Sequence, residues 1–185
     1  MKGLDRFLQK LRIDQVLPYV GRDARVLDVG CADGALYDRA NHIAEYVGID
    51  PEAPTGRTTQ GATFIRSSFP SPALGPDGRF DLLTALAILE HVPRGMQSEF
   101  AAACAAHLRP DGVLAITVPS PAVDAILAIL KRMKLVDGMH EEQHYGYRPE
   151  DTPGLFSAHG FVLVRHKRFE FGLNHLFVFR KSATR

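Results

Sequence analysis

Apolar residues along this chain fall into short runs of four to nine, separated by segments in which they recur every three or four positions. Leu4, Phe7, Leu8, Leu11 and Val16 space like one face of a helix, so residues 1–20 read as an amphipathic helix studded with Lys2, Asp5, Arg6, Lys10, Arg12 and Asp14. Compact apolar runs then predict strands at 25–29, 46–49, 63–66, 80–85 and 113–118. Helical spacing fills 35–44 and 95–108, the second with Met96, Phe100, Ala103 and Cys104 on one side. Prolines and glycines between 70 and 78 mark a loop, and Arg109, Pro110, Asp111 and Gly112 mark a turn before the fifth strand. A strongly apolar helix is expected at 122–136, an irregular His-, Tyr- and Glu-rich segment at 137–148, and a short helix at 150–158. Strands at 161–169 and 173–180 close the chain as an antiparallel hairpin around Gly172.

Five strands alternating with helices imply right-handed crossovers and a parallel sheet covered on both faces. The closing hairpin would insert one antiparallel strand. The expected fold class is therefore α/β, a Rossmann-like doubly wound seven-stranded sheet, mostly parallel, with ligands at the carboxyl ends of the strands.

At that edge the most informative segment is Val26-Leu27-Asp28-Val29-Gly30-Cys31-Ala32-Asp33-Gly34, a strand, a small-residue loop and a helix start. Gly30 and Gly34 permit tight backbone geometry and close ligand approach. The spacing is G-x-A-x-G rather than the G-x-G-x-x-G of dinucleotide folds. Asp28 would repel a pyrophosphate but suit a ligand carrying an ammonium group, such as the methionine part of S-adenosylmethionine. Asp50, at the end of the second strand, is placed to accept both hydroxyls of a ribose. It could equally cap an Asp-Pro turn with Pro51.

These residues, followed by Phe80-Asp81, Leu89-Glu90-His91-Val92 and Leu108-Arg109-Pro110-Asp111-Gly112, make the chain resemble class I S-adenosylmethionine-dependent methyltransferases. The likeness is to the small-molecule branch with an LEHV-type turn, and it covers residues 26–180 in order. It implies a strand order 3-2-1-4-5-7-6 and S-adenosylmethionine as cofactor. By position, Gly30, Cys31, Ala32 and Gly34 would lie against the methionine part, Asp28 would orient its amino group, and Asp50 with Pro51 would hold the ribose. Ser67 and Ser68 would sit near the adenine, and Ala85 and Leu86 would flank the methionine. Three departures stand out: Ala32 replaces the middle glycine, no acid stands near Ser67 to read the adenine amino group, and Ala87 occupies a place where some relatives carry a further acid. No metal is therefore expected.

Composition narrows the partners. The chain has 185 residues, 45% hydrophobic, with a formal net charge of +1, two cysteines and no tryptophan. That charge provides no global attraction to nucleic acid or acidic membranes, and two cysteines cannot make a disulfide-dense secreted scaffold. Nothing approaches the uncharged apolar length of about 18 residues that a membrane span needs. Arg165, His166, Lys167 and Arg168 could touch nucleic acid, but charge on a solvated edge strand is the plainer reading. Cys31 and Cys104 read as packing residues. The expectation is a cytoplasmic single methyltransferase domain, monomer or homodimer, acting on a small-molecule acceptor. Its parts would be an N-terminal cap at 1–22, a cofactor core at 23–118, an acceptor-side helix and loop at 119–148, and a final helix and hairpin at 149–185.

Transfer to a hydroxyl, the favoured acceptor, must release a proton; a protein base for it is optional, and histidine is the easiest to run near neutrality. Of eight histidines, His42, His107, His159, His166 and His175 read as structural. His91 follows the fourth strand at the ligand edge, either as base or as a turn cap tied to Glu90. His144, flanked by Tyr145 and Tyr147, and His140 lie in a segment that would fold over the acceptor or remain a solvated loop. Two other functions stay open: a catalytically idle cofactor-binding regulatory module, and a nucleotide-dependent oxidoreductase on a related fold.

Overall fold

The computed structural model describes residues 3–40, 42–54, 60–75, 80–120, 122 and 147–183. A helix Gly3–Val16 (α1) leads through a 3-10 turn at Leu17–Tyr19 into strand Arg25–Val29 (β1). The helix Ala35–Arg39 (α2) is followed by strands Glu45–Asp50 (β2) and Ala62–Arg66 (β3). Next come strand Phe80–Leu86 (β4), helix Gln97–His107 (α3) and strand Leu108–Pro119 (β5). The chain closes with helix Thr152–Ser157 (α4) and strands Phe161–Phe169 (β6) and Asn174–Lys181 (β7).

The seven strands lie in the order β3-β2-β1-β4-β5-β7-β6. All neighbours are parallel except those of β7, which runs antiparallel to both β5 and β6. The expected topology is therefore present. Alternation along the strands sends Leu27, Val29, Leu83, Ala85, Leu114 and Ile116 to one face, against Phe100, Ala101 and Cys104 of α3 and Phe156 of α4. The opposite face carries Val26, Tyr46, Leu82, Ala115, Leu176 and Val178, covered by Ile13 and Val16 of α1 and Leu36 of α2.

Several elements differ from the periodicity reading. The expected helix at 35–44 stops at Arg39, because Ala40 leaves helical geometry at φ −107° and ψ 77°. The residues beyond it are drawn toward β1 instead: His42 O accepts from Asp23 N at 2.8 Å, and Ala44 N donates to Ala24 O at 3.0 Å. On α1 the buried face is centred on Ile13 and Val16, and Phe7 is exposed. On α3, Ala101 joins Phe100 and Cys104 in the core while Met96, in a preceding 3-10 turn, faces solvent. The Arg109–Gly112 turn is absorbed into β5 as an irregularity, since Phe80 pairs with Leu108 but Leu82 pairs with Val113. Asp111 takes φ +59° there. β6 is one of the two sheet edges, exposed from Val162 to Arg168, and its positive charges guard that edge against further pairing. The expected helix at 122–136 and the segment at 137–146, with His140, His144 and Tyr145, lie outside the described residues, Ala122 excepted.

Candidate functional site

The parallel strands bring the ends of β1, β2, β3 and β4 to one edge, and the loop after β1 is held there by backbone bonds. Gly30 N donates to Ile49 O at 2.8 Å and Gly34 N to Cys31 O at 2.8 Å. Gly30, Ala32 and Gly34 take φ +75°, +46° and +81°, so the loop reverses through alternate left-handed residues. A Cβ on Gly30 would come within 2.0 Å of Ile88 Cδ1, which shows how closely the segment after β4 lies against this loop. Cys31 is buried against β2, where a Cβ on Gly48 would meet its Sγ at 2.7 Å. Burial and the nearby Asp28 charge push the Cys31 thiol far above its ordinary range, so it is an inert packing group.

Asp28 is 3% exposed, below the loop. Its Oδ1 accepts from Thr84 Oγ1 at 2.6 Å and its Oδ2 from the Tyr46 hydroxyl at 2.7 Å. Burial raises its pKa to about 6; the two hydrogen bonds oppose that rise and the Asp50 charge adds to it. Asp50 ends β2. Its Oδ2 accepts from Ala32 N at 3.1 Å and its Oδ1 from Glu52 N at 2.7 Å, across the exposed Pro51. The turn-capping role is thus real, yet it uses two of about four lone-pair positions that a carboxylate offers. Ser67 N donates to Asp50 O at 3.2 Å, which ties the end of β3 to the same corner. Ser67 Oγ lies 3.0 Å from Ser71 Oγ, and Ser68 is exposed.

At the end of β4, Ala85 is enclosed between Val29 and Ile116, so Leu86 and Ala87 form the accessible surface there. Ala87 takes φ +57°. The 3-10 turn Leu89–His91 follows, with Glu90 5% exposed and His91 half-buried. His91 Nε2 stands 4.0 Å from Glu90 Oε1, the pairing that the turn-cap alternative anticipates, in the turn that follows β4. Other histidines are engaged elsewhere: His42 Nε2 with Val20 O at 3.1 Å, His159 Nε2 with Ser98 Oγ at 3.0 Å, and His166 Nε2 with His175 Nδ1 at 3.0 Å. Among the described residues no three His, Cys, Asp or Glu side chains group to hold a metal, and no helix is long and apolar enough to cross a membrane.

Sequence reasoning missed Thr84, Tyr46 and Ile88. Thr84 was the most accessible of these, being the hydroxyl directly across the β1–β4 pair from Asp28.

Sheet order, antiparallel β7 and the loop after β1 together define a Rossmann-like methyltransferase fold of class I. The chain belongs to the methyltransferase-domain family, whose profile, described as "Methyltransferase domain", matches residues 2–166; the class uses S-adenosylmethionine. It is 28% identical over 156 residues to a ubiquinone biosynthesis O-methyltransferase of Colwellia psychrerythraea, covering 77% of this chain and 62% of that protein. To the protein of the same name in Dechloromonas aromatica it is 38% identical over 109 residues, 54% of this chain and 45% of that one. The chain thus spans about half to three-fifths of the length of these curated relatives. Among solved structures, the Burkholderia thailandensis 1,6-didemethyltoxoflavin-N1-methyltransferase with bound 1,6-didemethyltoxoflavin and S-adenosylhomocysteine superposes at TM-score 0.72, 21% identity, over 95% of this chain and 79% of that one. The magnesium protoporphyrin IX methyltransferase of Synechocystis PCC 6803 with bound SAH superposes at TM-score 0.69, 17% identity, over 96% and 85%. Both establish the fold.

Proposed function

We propose that this chain binds S-adenosylmethionine at the carboxyl edge of β1, β2 and β4 and transfers its methyl group to an oxygen of a small-molecule acceptor. The observation that carries the reading is the bond from Ala32 N to Asp50 Oδ2, which makes the glycine-rich loop and the ribose-binding acid one unit. The donor set fits: Asp50 keeps unused lone pairs for ribose hydroxyls, and Asp28 with Asp50 places two carboxylates about a loop that would receive a cationic ligand. The curated relatives, named O-methyltransferases, support an oxygen acceptor. A small acceptor also agrees with the near-neutral charge.

Bound there, the cofactor supplies a methyl group on a sulfonium for in-line displacement. Gly30, Cys31, Ala32 and Gly34 line the methionine part, and Asp28 biases the site toward its ammonium group. Asp50 and Pro51 hold the ribose, Ser67 and Ser68 border the adenine, and Leu86 bounds the methionine, the enclosed Ala85 supporting it from within the sheet. His91, or His144 beyond the described residues, takes the proton from the acceptor hydroxyl. The protein's main task is alignment, since the electrophile arrives with the cofactor.

Calorimetry with S-adenosylmethionine, S-adenosylhomocysteine and NAD tests the binding half. Preferential NAD binding would reject it and favour the oxidoreductase alternative. Label transfer from methyl-labelled S-adenosylmethionine to hydroxyl, amine and thiol acceptors tests the rest, and tight binding without transfer to any acceptor would favour a regulatory cofactor-binding module.

A further inference from the structure

Asp28 follows Val26 by two positions on β1, so alternation turns it to the face that α1 and α2 cover. The strands on either side each send it one hydroxyl. Thr84 of β4 stands directly across from Asp28 and donates to Oδ1 at 2.6 Å. Tyr46 of β2 lies on the diagonal, opposite Val26, and donates to Oδ2 at 2.7 Å. Both donors are wholly buried.

The residue directly across from Asp28 on β2 is Gly48, and this is what lets the phenol reach it. A Cβ at Gly48 would stand 3.0 Å from Tyr46 Cε1 and 2.9 Å from Cys31 Cβ, so the tyrosine ring and the loop residue share the space that glycine leaves. Ring contacts on both sides hold the phenol in place, Tyr37 of α2 at 5.2 Å and Phe64 of β3 at 5.6 Å between centroids. Its hydroxyl is thus fixed on the carboxylate.

Around Asp28 stand these two hydroxyls, the Cys31 thiol of the loop and, at the end of β2, the Asp50 carboxylate. α1 and α2 turn the apolar Ile13, Val16 and Leu36 to the same face. Burial and the Asp50 charge favour the neutral acid, whereas the Thr84 and Tyr46 hydrogen bonds favour the carboxylate. The charge at this position therefore depends on the two hydroxyls. We propose that Tyr46 and Thr84 are positioning residues for cofactor binding, whose hydroxyls keep the Asp28 carboxylate charged and fixed beneath the glycine-rich loop, where it attracts the cofactor's ammonium group. Neither side chain touches the cofactor; both act through Asp28. The inference rests on the proposed cofactor site and deepens it.

The test is calorimetry from about pH 5.5 to 8 on wild type, Tyr46→Phe, Thr84→Val and Thr84→Ser. Two probes are used, S-adenosylhomocysteine and its analogue with hydrogen in place of the amino group. Removing one hydroxyl from a buried carboxylate should move the pH at which affinity halves upward by about one unit. Tyr46→Phe and Thr84→Val should therefore bind S-adenosylhomocysteine about fivefold more weakly than wild type at pH near 6, and within about twofold of it at pH near 8. Thr84→Ser keeps a hydroxyl and should restore the wild-type profile. The deaminated analogue should bind the variants no worse than wild type. Profiles in Tyr46→Phe and Thr84→Val that coincide with wild type, whatever their melting temperatures, assign both hydroxyls to structure alone and overturn the inference, as does an equal loss for the analogue. Failure of the wild-type chain to bind S-adenosylhomocysteine at any pH overturns the cofactor reading instead, so the two failures are distinct.

Discussion

Asp50 Oδ2 accepts the Ala32 amide at 3.1 Å while Oδ1 accepts the Glu52 amide at 2.7 Å, so one carboxylate fastens the glycine-rich loop to the turn after β2. Asparagine supplies only one acceptor oxygen and must leave one of these amides unpaired. Asp50→Asn is expected to weaken S-adenosylhomocysteine binding at least tenfold, and Asp50→Ala further, by calorimetry on folded protein. A residue that merely capped the turn would lower the melting temperature and leave the affinity of the folded fraction unchanged.

Asp28 makes the site pH-dependent. Burial lifts its pKa from 3.8 to about 6, so the folded chain holds that proton more tightly than the unfolded one. The neutral acid then stabilises the fold fully below 3.8, and this contribution disappears as pH rises through about 6. The difference amounts to about 3 kcal/mol. Urea melts from pH 4 to 7.5 should lose this increment in wild type and keep it flat in Asp28→Asn. Ligand binding should move in the opposite direction, because an ammonium group prefers the ionised acid. S-adenosylhomocysteine affinity should fall as pH drops below 6, and Asp28→Asn should abolish that dependence.

How far the chain could be read in advance depended on how local each cause is. β1 and β6 were legible to the residue, since Gly30 closes the first apolar run and Gly160 immediately precedes the second. The parallel doubly wound sheet followed from a repeating βα pattern, and its strand order from the family resemblance. α2 was overread, because Leu36 and Ala40 keep helical spacing and are both buried, while the bonds from Asp23 to His42 and from Ala44 to Ala24 are tertiary. At the site, Asp28 and Asp50 were visible from their positions at strand ends. Their hydrogen-bond partners were not: Tyr46 and Thr84 stand 18 and 56 residues from Asp28 in sequence.

Gly30 is constrained twice, by φ +75° and by Ile88 Cδ1 at 2.0 Å from the place of a Cβ. Ile88 can rotate away, but the left-handed backbone cost of about 1–2 kcal/mol remains for any L side chain. Gly30→Ala should therefore lower stability by about that amount in urea melts and weaken cofactor binding at least tenfold. Adding Ile88→Ala should relieve the contact and leave the backbone penalty, so full recovery in the double variant would contradict the φ argument.

Cys31 sits inside the loop yet its thiol is buried and held protonated. Thiolate is the reactive form. Native protein should resist iodoacetamide at neutral pH at both cysteines, and urea should release both. Cys31→Ala is expected to retain methyl transfer within about threefold, because a small apolar side chain still fills the space beside Gly48.

His91 separates catalysis from architecture. Its ring is half-buried in the turn that follows β4, 4.0 Å from Glu90. A general base contributes about 10²–10⁴ in rate, whereas a turn cap contributes stability. If His91 takes the acceptor proton, His91→Ala should reduce kcat at least about a hundredfold with S-adenosylhomocysteine affinity unchanged, and the loss should shrink as pH rises toward the acceptor's own pKa. His91→Gln keeps hydrogen-bonding capacity but cannot act as a base near neutrality, so it should fail as badly as alanine. Recovery of kcat by glutamine, or a lowered melting temperature with kcat intact, would assign His91 to the turn and leave His144 as the base to test by the same pair of substitutions.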